Sequence, residues 1–131
     1  MRALILILWI ALGGALGSVS RYLLTALINQ VSIGVWKPGT LAVNLIGCFL
    51  FGLIWTRADM KMQLEGTMAI ALMGGFLGAF TTFSTYAFQT ADLAQNKDYV
   101  WAAVNLITHN GLGIAMIFVG IAAARGMAQA S

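Results

Sequence analysis

The chain has 131 residues, of which 60% are hydrophobic and only 8% are charged, and its mean hydropathy is +0.88. About a quarter of the residues in a soluble domain are charged, so this composition excludes an ordinary soluble protein. The formal net charge of +3 comes from basic residues that do not cluster, which argues against a nucleic-acid partner.

Four segments are apolar and long enough to cross a bilayer, each needing roughly 20 largely apolar residues. They lie at approximately 3–28, 39–56, 66–91 and 100–123, and polar segments at 29–38, 57–65 and 92–98 separate them. The first segment is too long for the core of a cleaved signal peptide. The sequence therefore predicts one all-α transmembrane domain over residues 1–131, embedded in a cell membrane.

The basic residues indicate the orientation of the spans only weakly. Four lie on the side of both termini and two on the opposite side: Arg2, Arg57, Lys61 and Arg125, against Lys37 and Lys97. Cytoplasmic loops normally carry a clear excess of Lys and Arg. This small difference favours either cytoplasmic termini or insertion in both orientations, and the second option would permit an antiparallel homodimer.

Two pairs of glycines allow close approach between helices. Gly13 and Gly17 in the first span, and Gly74 and Gly78 in the third, have the spacing of small-residue contacts in membranes. Each pair is suited either to a dimer contact or to packing within one subunit. Four helices leave little room for a pore between them, so the chain is expected to form an oligomer.

No pattern of residues predicts an enzyme. A single His and a single Cys, Cys48, do not suggest a zinc site or an internal disulfide, and Cys48 is expected to be a small buried hydrophobe. Asp59, Glu65 and Asp98 are predicted in loops. Asp92 is predicted at the end of the third span. The absence of a carboxylate deep in any span disfavours a small multidrug-type exporter, since proton-coupled transport normally uses one.

The third span contains the most informative segment, GGFLGAFTTFSTY, from Gly74 to Tyr86. Its glycines and hydroxyls lie at membrane depth, where irregular backbone occurs only if protein or a watery cavity surrounds it. The segment therefore predicts an ion or substrate path. Phe83 and Tyr86 lie on nearly one helical face, either as packing residues or with their positive ring edges towards a small anion.

Other spans contribute polar residues whose roles the sequence leaves open. Asn44, with Thr40 one turn earlier, either lines a pore or makes a helix–helix hydrogen bond. The same alternatives apply to His109, which shares a helical face with Asn105. Arg21, inside the first span, either attracts anions to a vestibule or anchors the helix.

Three motifs in chain order resemble the Fluc (CrcB) family of fluoride channels. They are GG-x-x-G-S-x-x-R-Y, G-T-L-x-x-N-x-x-G and G-x-x-G-x-x-T-T-F-S-T-Y. The resemblance covers the whole chain, and its most specific element is T-T-F-S-T. It implies four transmembrane helices with the third helix broken, and an antiparallel, dual-topology homodimer in the bacterial plasma membrane. It also implies passive, selective export of cytoplasmic fluoride through two pores, which gives fluoride resistance.

The same resemblance implies roles for individual residues. Arg21 corresponds to the family arginine of the first span, and the carbonyls of Gly78 and Thr81 from both subunits would hold a central structural Na⁺. Oxygen ligands suit such a hard cation. The residues expected along the fluoride pathway are Thr40, Asn44, Phe83, Ser84, Thr85, Tyr86, Asn105 and His109.

Two positions depart from the family pattern. Tyr86 replaces the usual second phenylalanine, and its phenol would either bind fluoride directly or displace the ring edge. His109 and Gly113 occupy a stripe where family members often have small hydroxyl residues. These departures leave open a second interpretation, in which the chain is a non-conducting or hetero-dimerising subunit of such a channel.

Overall fold

A computed structural model describes residues 2–61 and 66–129 of the chain. Within these ranges four helical stretches are long and apolar enough to cross a membrane: Ala3–Ile28, Gly39–Asp59, Ile70–Gln95 and Tyr99–Gln129. The elements in chain order are α1 (Arg2–Ile28), α2 (Gly39–Lys61), α3 (Gly66–Ala69), a π-helical segment (Ile70–Leu77), α4 (Gly78–Phe80), α5 (Phe83–Gln95) and α6 (Tyr99–Gln129). The prediction of an all-α, multi-pass membrane protein is confirmed.

The helices of the second and third spans continue beyond their apolar segments. Asp59 lies in α2, which ends at Lys61, and Asp92 lies in α5, which ends at Gln95. The prediction that Asp59 lies in a loop is therefore wrong. Residues 57–61 and 92–95 contain no Gly or Pro and include good helix formers, so the helix continues after the apolar segment stops. Glu65, also predicted in a loop, lies outside the described residues.

Two connections lie on the side of Lys37 and Lys97: one joins α1 to α2 and the other joins α5 to α6. The N–H of Gly39, the first residue of α2, donates to Asn29 Oδ1 at 2.8 Å, which joins the end of α1 to the start of α2. Lys97 adopts a positive φ of 66° in the turn between α5 and α6. These turns hold consecutive spans close to one another at this end of the molecule.

Glycines mark the crossing of α1 with the π-helical segment. A Cβ on Gly13 would come within 2.7 Å of the Ala71 carbonyl oxygen, and a Cβ on Gly17 would overlap the carbonyl oxygen of Phe76. Gly75 is equally tight against Ile10 from the opposite side, at 2.9 Å. Gly13 and Gly17 therefore pack within the subunit, the second of the two options that their spacing allowed.

A second pair of glycines sets the crossing of α2 and α6. A Cβ on Gly52 would overlap the carbonyl oxygen of Ile117, and one on Gly120 would overlap the carbonyl oxygen of Phe49. Because both obstacles are backbone atoms, neither can swing away as a flexible side chain would. This contact therefore sets how closely α2 and α6 approach each other.

We expect Gly120→Ala to destabilise the folded protein by about 1–3 kcal/mol, the usual cost of overpacking a close contact. Gly111→Ala is the matched control on the same helix, since a Cβ there meets nothing within 4 Å. Thermal unfolding in detergent compares the two variants. Equal melting temperatures would show that the crossing tolerates a methyl group and that α2 and α6 are less closely packed than the positions of Gly52 and Gly120 indicate.

Candidate functional site

The backbone leaves the helical conformation where the third span reaches its two threonines. Thr81 has φ −87° and ψ 159°, and Thr82 has φ −150° and ψ 114°, both in the extended region. The π-helical segment Ile70–Leu77 comes shortly before, and such segments are frequent at functional sites. Extended backbone at this depth must find hydrogen-bond partners outside the helix.

Asn44 on α2 supplies those partners. Its Oδ1 accepts the Thr82 N–H at 2.8 Å, and its Nδ2 donates to the Thr82 carbonyl at 3.1 Å. A side-chain amide matches both polar groups of one residue because it carries a donor and an acceptor. The helix–helix hydrogen bond considered for Asn44 is therefore present, and it uses one of the two amide hydrogens.

The Thr82 hydroxyl caps the N-terminus of the next helix, α5. It accepts the Thr85 N–H at 3.2 Å, as an N-cap residue does, and donates to Thr85 Oγ1 at 3.0 Å. Ser84 Oγ lies 3.3 Å from the same hydroxyl. The hydroxyls of Ser84 and Thr85 thus belong to a local network that begins α5.

Two carbonyls lose their ordinary helical donors through these contacts. The N–H of Thr82 would donate to the Gly78 carbonyl in a continuous helix, but it donates to Asn44 instead. The N–H of Thr85 would likewise donate to the Thr81 carbonyl, but it donates to Thr82 Oγ1. The carbonyl oxygens of Gly78 and Thr81 are therefore available to another partner, and these are the two predicted for a cation.

A cavity of about 400 Å³ lies between α2, the third span and α6. Six of the residues predicted for the site line it: Asn44, Gly78, Thr81, Phe83, Tyr86 and His109. The other five predicted residues do not line it: Arg21, Thr40, Ser84, Thr85 and Asn105. Among the residues that the structure describes, no Asp, Glu, Lys or Arg lines this cavity. The lining consists of Asn44, Gly47, Cys48, Phe51, Met73, Leu77, Gly78, Thr81, Thr82, Phe83, Tyr86, His109, Asn110 and Ile117.

Three rings form a chain along one side of this cavity. Phe83 meets Tyr86 edge to face, with centroids 5.5 Å apart and planes at 70°. Tyr86 in turn stacks on His109 at 4.4 Å and 25°. Phe83 is 77% exposed within the subunit, whereas Tyr86 is 8% exposed. The spacing of Phe83 and Tyr86 therefore does place them together, one at the surface and one inside.

His109 and Asn110 present polar atoms from α6. His109 Nδ1 lies 2.9 Å from the Asn105 carbonyl, and its Nε2 is buried without a hydrogen-bond partner among the described residues. Asn110 Nδ2 donates to the Tyr86 hydroxyl at 2.9 Å. Asn110 was not among the residues expected along the fluoride pathway, although it follows His109 directly in a polar stretch of the fourth span.

Asn105 lies apart from the cavity in a saturated network. Its Oδ1 accepts from Trp36 Nε1 at 3.0 Å. Its Nδ2 donates to Thr90 Oγ1 at 2.8 Å and to the Tyr86 carbonyl at 3.4 Å, and the side chain is fully buried. Trp36 also stacks on Trp101 at 5.7 Å. The amide therefore ties the α1–α2 connection to α5 and α6, and it leaves no donor for an ion in this arrangement.

Thr40 and Arg21 also lie outside the lining. Thr40 is 1% exposed, and its Oγ1 is buried with no hydrogen-bond partner in the described part of the chain. Arg21 is half-buried on α1. Neither residue lines the cavity, and the vestibule role of Arg21 and the pathway role of Thr40 stay predictions.

Comparisons with known proteins identify the family. The family described as CrcB-like protein, Camphor Resistance (CrcB), matches residues 8–121. A fluoride-specific ion channel FluC of Nitrosococcus oceani is 42% identical over 86% of this chain and 90% of its own length. A protein of the same name from Solidesulfovibrio magneticus is 41% identical over 89% of this chain and 94% of its own length. The chain belongs to the CrcB family.

Proposed function

We propose that this chain is a fluoride-selective ion channel that lets cytoplasmic fluoride leave a bacterial cell by passive electrodiffusion and so gives fluoride resistance. The observation that carries this proposal is the cavity, in which Asn44, Phe83 and Tyr86 meet at the extended backbone of Thr81 and Thr82. The similarity to relatives named fluoride-specific ion channels, over most of their length, supports the same assignment.

The chemistry of the lining suits a small, strongly hydrated anion. Conduction requires binding that is favourable enough for entry and weak enough for exit. Neutral donors and positive ring edges meet that requirement, whereas a Lys or Arg would hold the anion too tightly. In the described lining such donors occur without any charged side chain. The same lining offers no carboxylate for proton exchange, which speaks against a multidrug-type exporter.

The third span acts in this proposal as a broken helix within an antiparallel, dual-topology homodimer. The extended conformation of Thr81 and Thr82 supports the break. The high exposure of Phe83, a residue of the cavity, supports a partner that completes the path. Only 6% of the apolar window of α1 is buried, so this helix offers a wide surface to lipid and to a second copy.

A structural Na⁺ at the centre of the dimer fits the residues present. The N–H groups that would donate to the Gly78 and Thr81 carbonyls in a continuous helix donate instead to Asn44 and to the Thr82 hydroxyl. Carbonyl oxygens are hard ligands that suit a hard cation. With both copies contributing, these oxygens would hold the ion, and its charge would fix the two extended segments against each other.

Dual insertion predicts that the C-terminus of this chain is found on both sides of the membrane. We expect Ser131→Cys, placed in a Cys48→Ala background, to react with an impermeant thiol reagent from outside in about half of the molecules. The remainder should react only after the membrane is opened. Ser131 lies outside the described residues. Labelling of all or none of the molecules from outside would contradict dual insertion.

Growth in fluoride tests the proposed function in cells. We expect this chain, expressed without any homologue in a bacterium that lacks its fluoride exporter, to restore growth at fluoride concentrations that stop the parent strain. Membrane fractions confirm equal expression of each variant. Normal membrane levels without rescue would favour the second interpretation, a subunit that conducts only with a sister chain.

A further inference from the structure

We propose that the Tyr86 hydroxyl is a hydrogen-bond donor to the permeating anion, and that Asn110 is the positioning residue that keeps this proton available. The inference rests on the proposed function and adds a contact that a phenylalanine at this position cannot make. Tyr86 and Asn110 lie on different helices, α5 and α6, and both line the cavity.

The contacts of Asn110 determine which way the hydrogen bond runs. Its Nδ2 lies 2.7 Å from the Leu106 carbonyl and 2.9 Å from the Tyr86 hydroxyl oxygen. A carbonyl oxygen can only accept, so the atom facing Leu106 is the nitrogen of the amide and not its oxygen. The same nitrogen has only donors to offer, and Tyr86 must therefore accept from it.

A phenol that accepts from Asn110 keeps its own proton for another acceptor. Tyr86 is 8% exposed, and a buried donor is normally satisfied by an acceptor or by water. His109 Nε2 is a nearby acceptor that has no partner in the part of the chain that the structure describes, but it cannot take this proton. The two rings stack 25° from parallel at 4.4 Å, so the phenol O–H and the Nε2 lone pair, each in its own ring plane, do not point at each other.

The surrounding rings hold the hydroxyl in place. His109 covers one face of Tyr86, and the edge-to-face contact with Phe83 restrains it further. A fixed donor costs little entropy when an ion arrives. The cavity therefore presents one strong, preoriented O–H beside the weaker ring edges, and the permeating anion is the acceptor that completes it.

The test is a double-mutant cycle on fluoride flux from proteoliposomes that contain the purified chain. Initial efflux is measured over a range of internal fluoride concentrations for the parent, Tyr86→Phe, Asn110→Leu and the double variant. Hydrogen bonds to charged partners are stronger than neutral ones, so we expect Tyr86→Phe to raise the half-saturating fluoride concentration by about tenfold. Because the ring edge remains, maximal flux should change by no more than about threefold.

Asn110→Leu should raise the half-saturating fluoride concentration when it is introduced into the parent. In the Tyr86→Phe variant the same substitution should change that concentration little. A role in packing alone would lower the melting temperature equally in both backgrounds without changing the half-saturating concentration. Unchanged half-saturation in Tyr86→Phe, or equal effects of Asn110→Leu in both backgrounds, overturns the inference and leaves the proposed function standing. Absence of flux from the parent and from every variant overturns both.

Discussion

Replacing Phe83 by Ile is expected to remove most of the fluoride flux, by about tenfold or more, while the protein stays folded. Isoleucine keeps apolar bulk but has no ring edge, so it removes the positive rim that the proposed path offers to an anion. Phe83 is 77% exposed in the subunit and its ring contact is with Tyr86. Exposed substitutions usually change stability by less than about 0.5 kcal/mol.

Phe88→Ile is the matched control for this prediction. Phe88 lies on the same helix, is 71% exposed and is not among the residues that line the cavity. We expect it to conduct like the parent in the same efflux assay. If Phe83→Ile also conducted like the parent, Phe83 would be a packing residue and the ring-edge mechanism would fail for this chain.

The second large effect is expected at Asn44, where Asp should suppress fluoride flux much more than Ser. Asp keeps an oxygen that can accept the Thr82 N–H, but its second oxygen would face the Thr82 carbonyl in place of a donor. It also places a negative charge on the cavity wall. Two like charges about 4 Å apart repel by roughly 4 kcal/mol at an effective dielectric constant of 20, which corresponds to a flux loss on the order of a thousandfold.

Asn44→Ser separates the effect of the added charge from the effect of losing the two hydrogen bonds between Asn44 and Thr82. Serine is too short to satisfy both groups of Thr82, so we expect a lower melting temperature for it than for the parent, with measurable flux. The same two measurements, unfolding temperature and initial efflux, are made on both variants. Equal flux from Asn44→Asp and Asn44→Ser would show that Asn44 serves the backbone alone and does not face the path.

Much of the architecture could be predicted because it depends on hydropathy along the chain. The four spans follow from apolar segments of sufficient length, whereas the break expected near Gly78 and Thr81 was implied by the family resemblance. The helix ends were harder to predict, because α2 continues through Asp59 into a segment that is polar and still helix-forming. Hydropathy reports where the bilayer ends, and it does not report where the helix ends.

The site was only partly predictable, since a side chain's partner depends on distant segments of the chain. For Asn44 the sequence left open pore lining or a hydrogen bond between helices, and it did not indicate that both polar ends of the amide contact one residue, Thr82. Asn105 shares a helical face with His109, but the side chain is fully buried against Trp36 and Thr90. Asn110 was not assigned to the pathway because its contact with Tyr86, 24 residues away, cannot be read from the sequence.

Reconstitution of the purified chain tests the central claim most directly. Proteoliposomes that contain this chain as their sole protein are loaded with equal concentrations of fluoride and chloride, and the release of each anion is followed with ion-selective electrodes after a potassium ionophore is added. The account predicts rapid fluoride release with chloride retained at the level of protein-free vesicles. Retention of both anions, or release of both at similar rates, would contradict it.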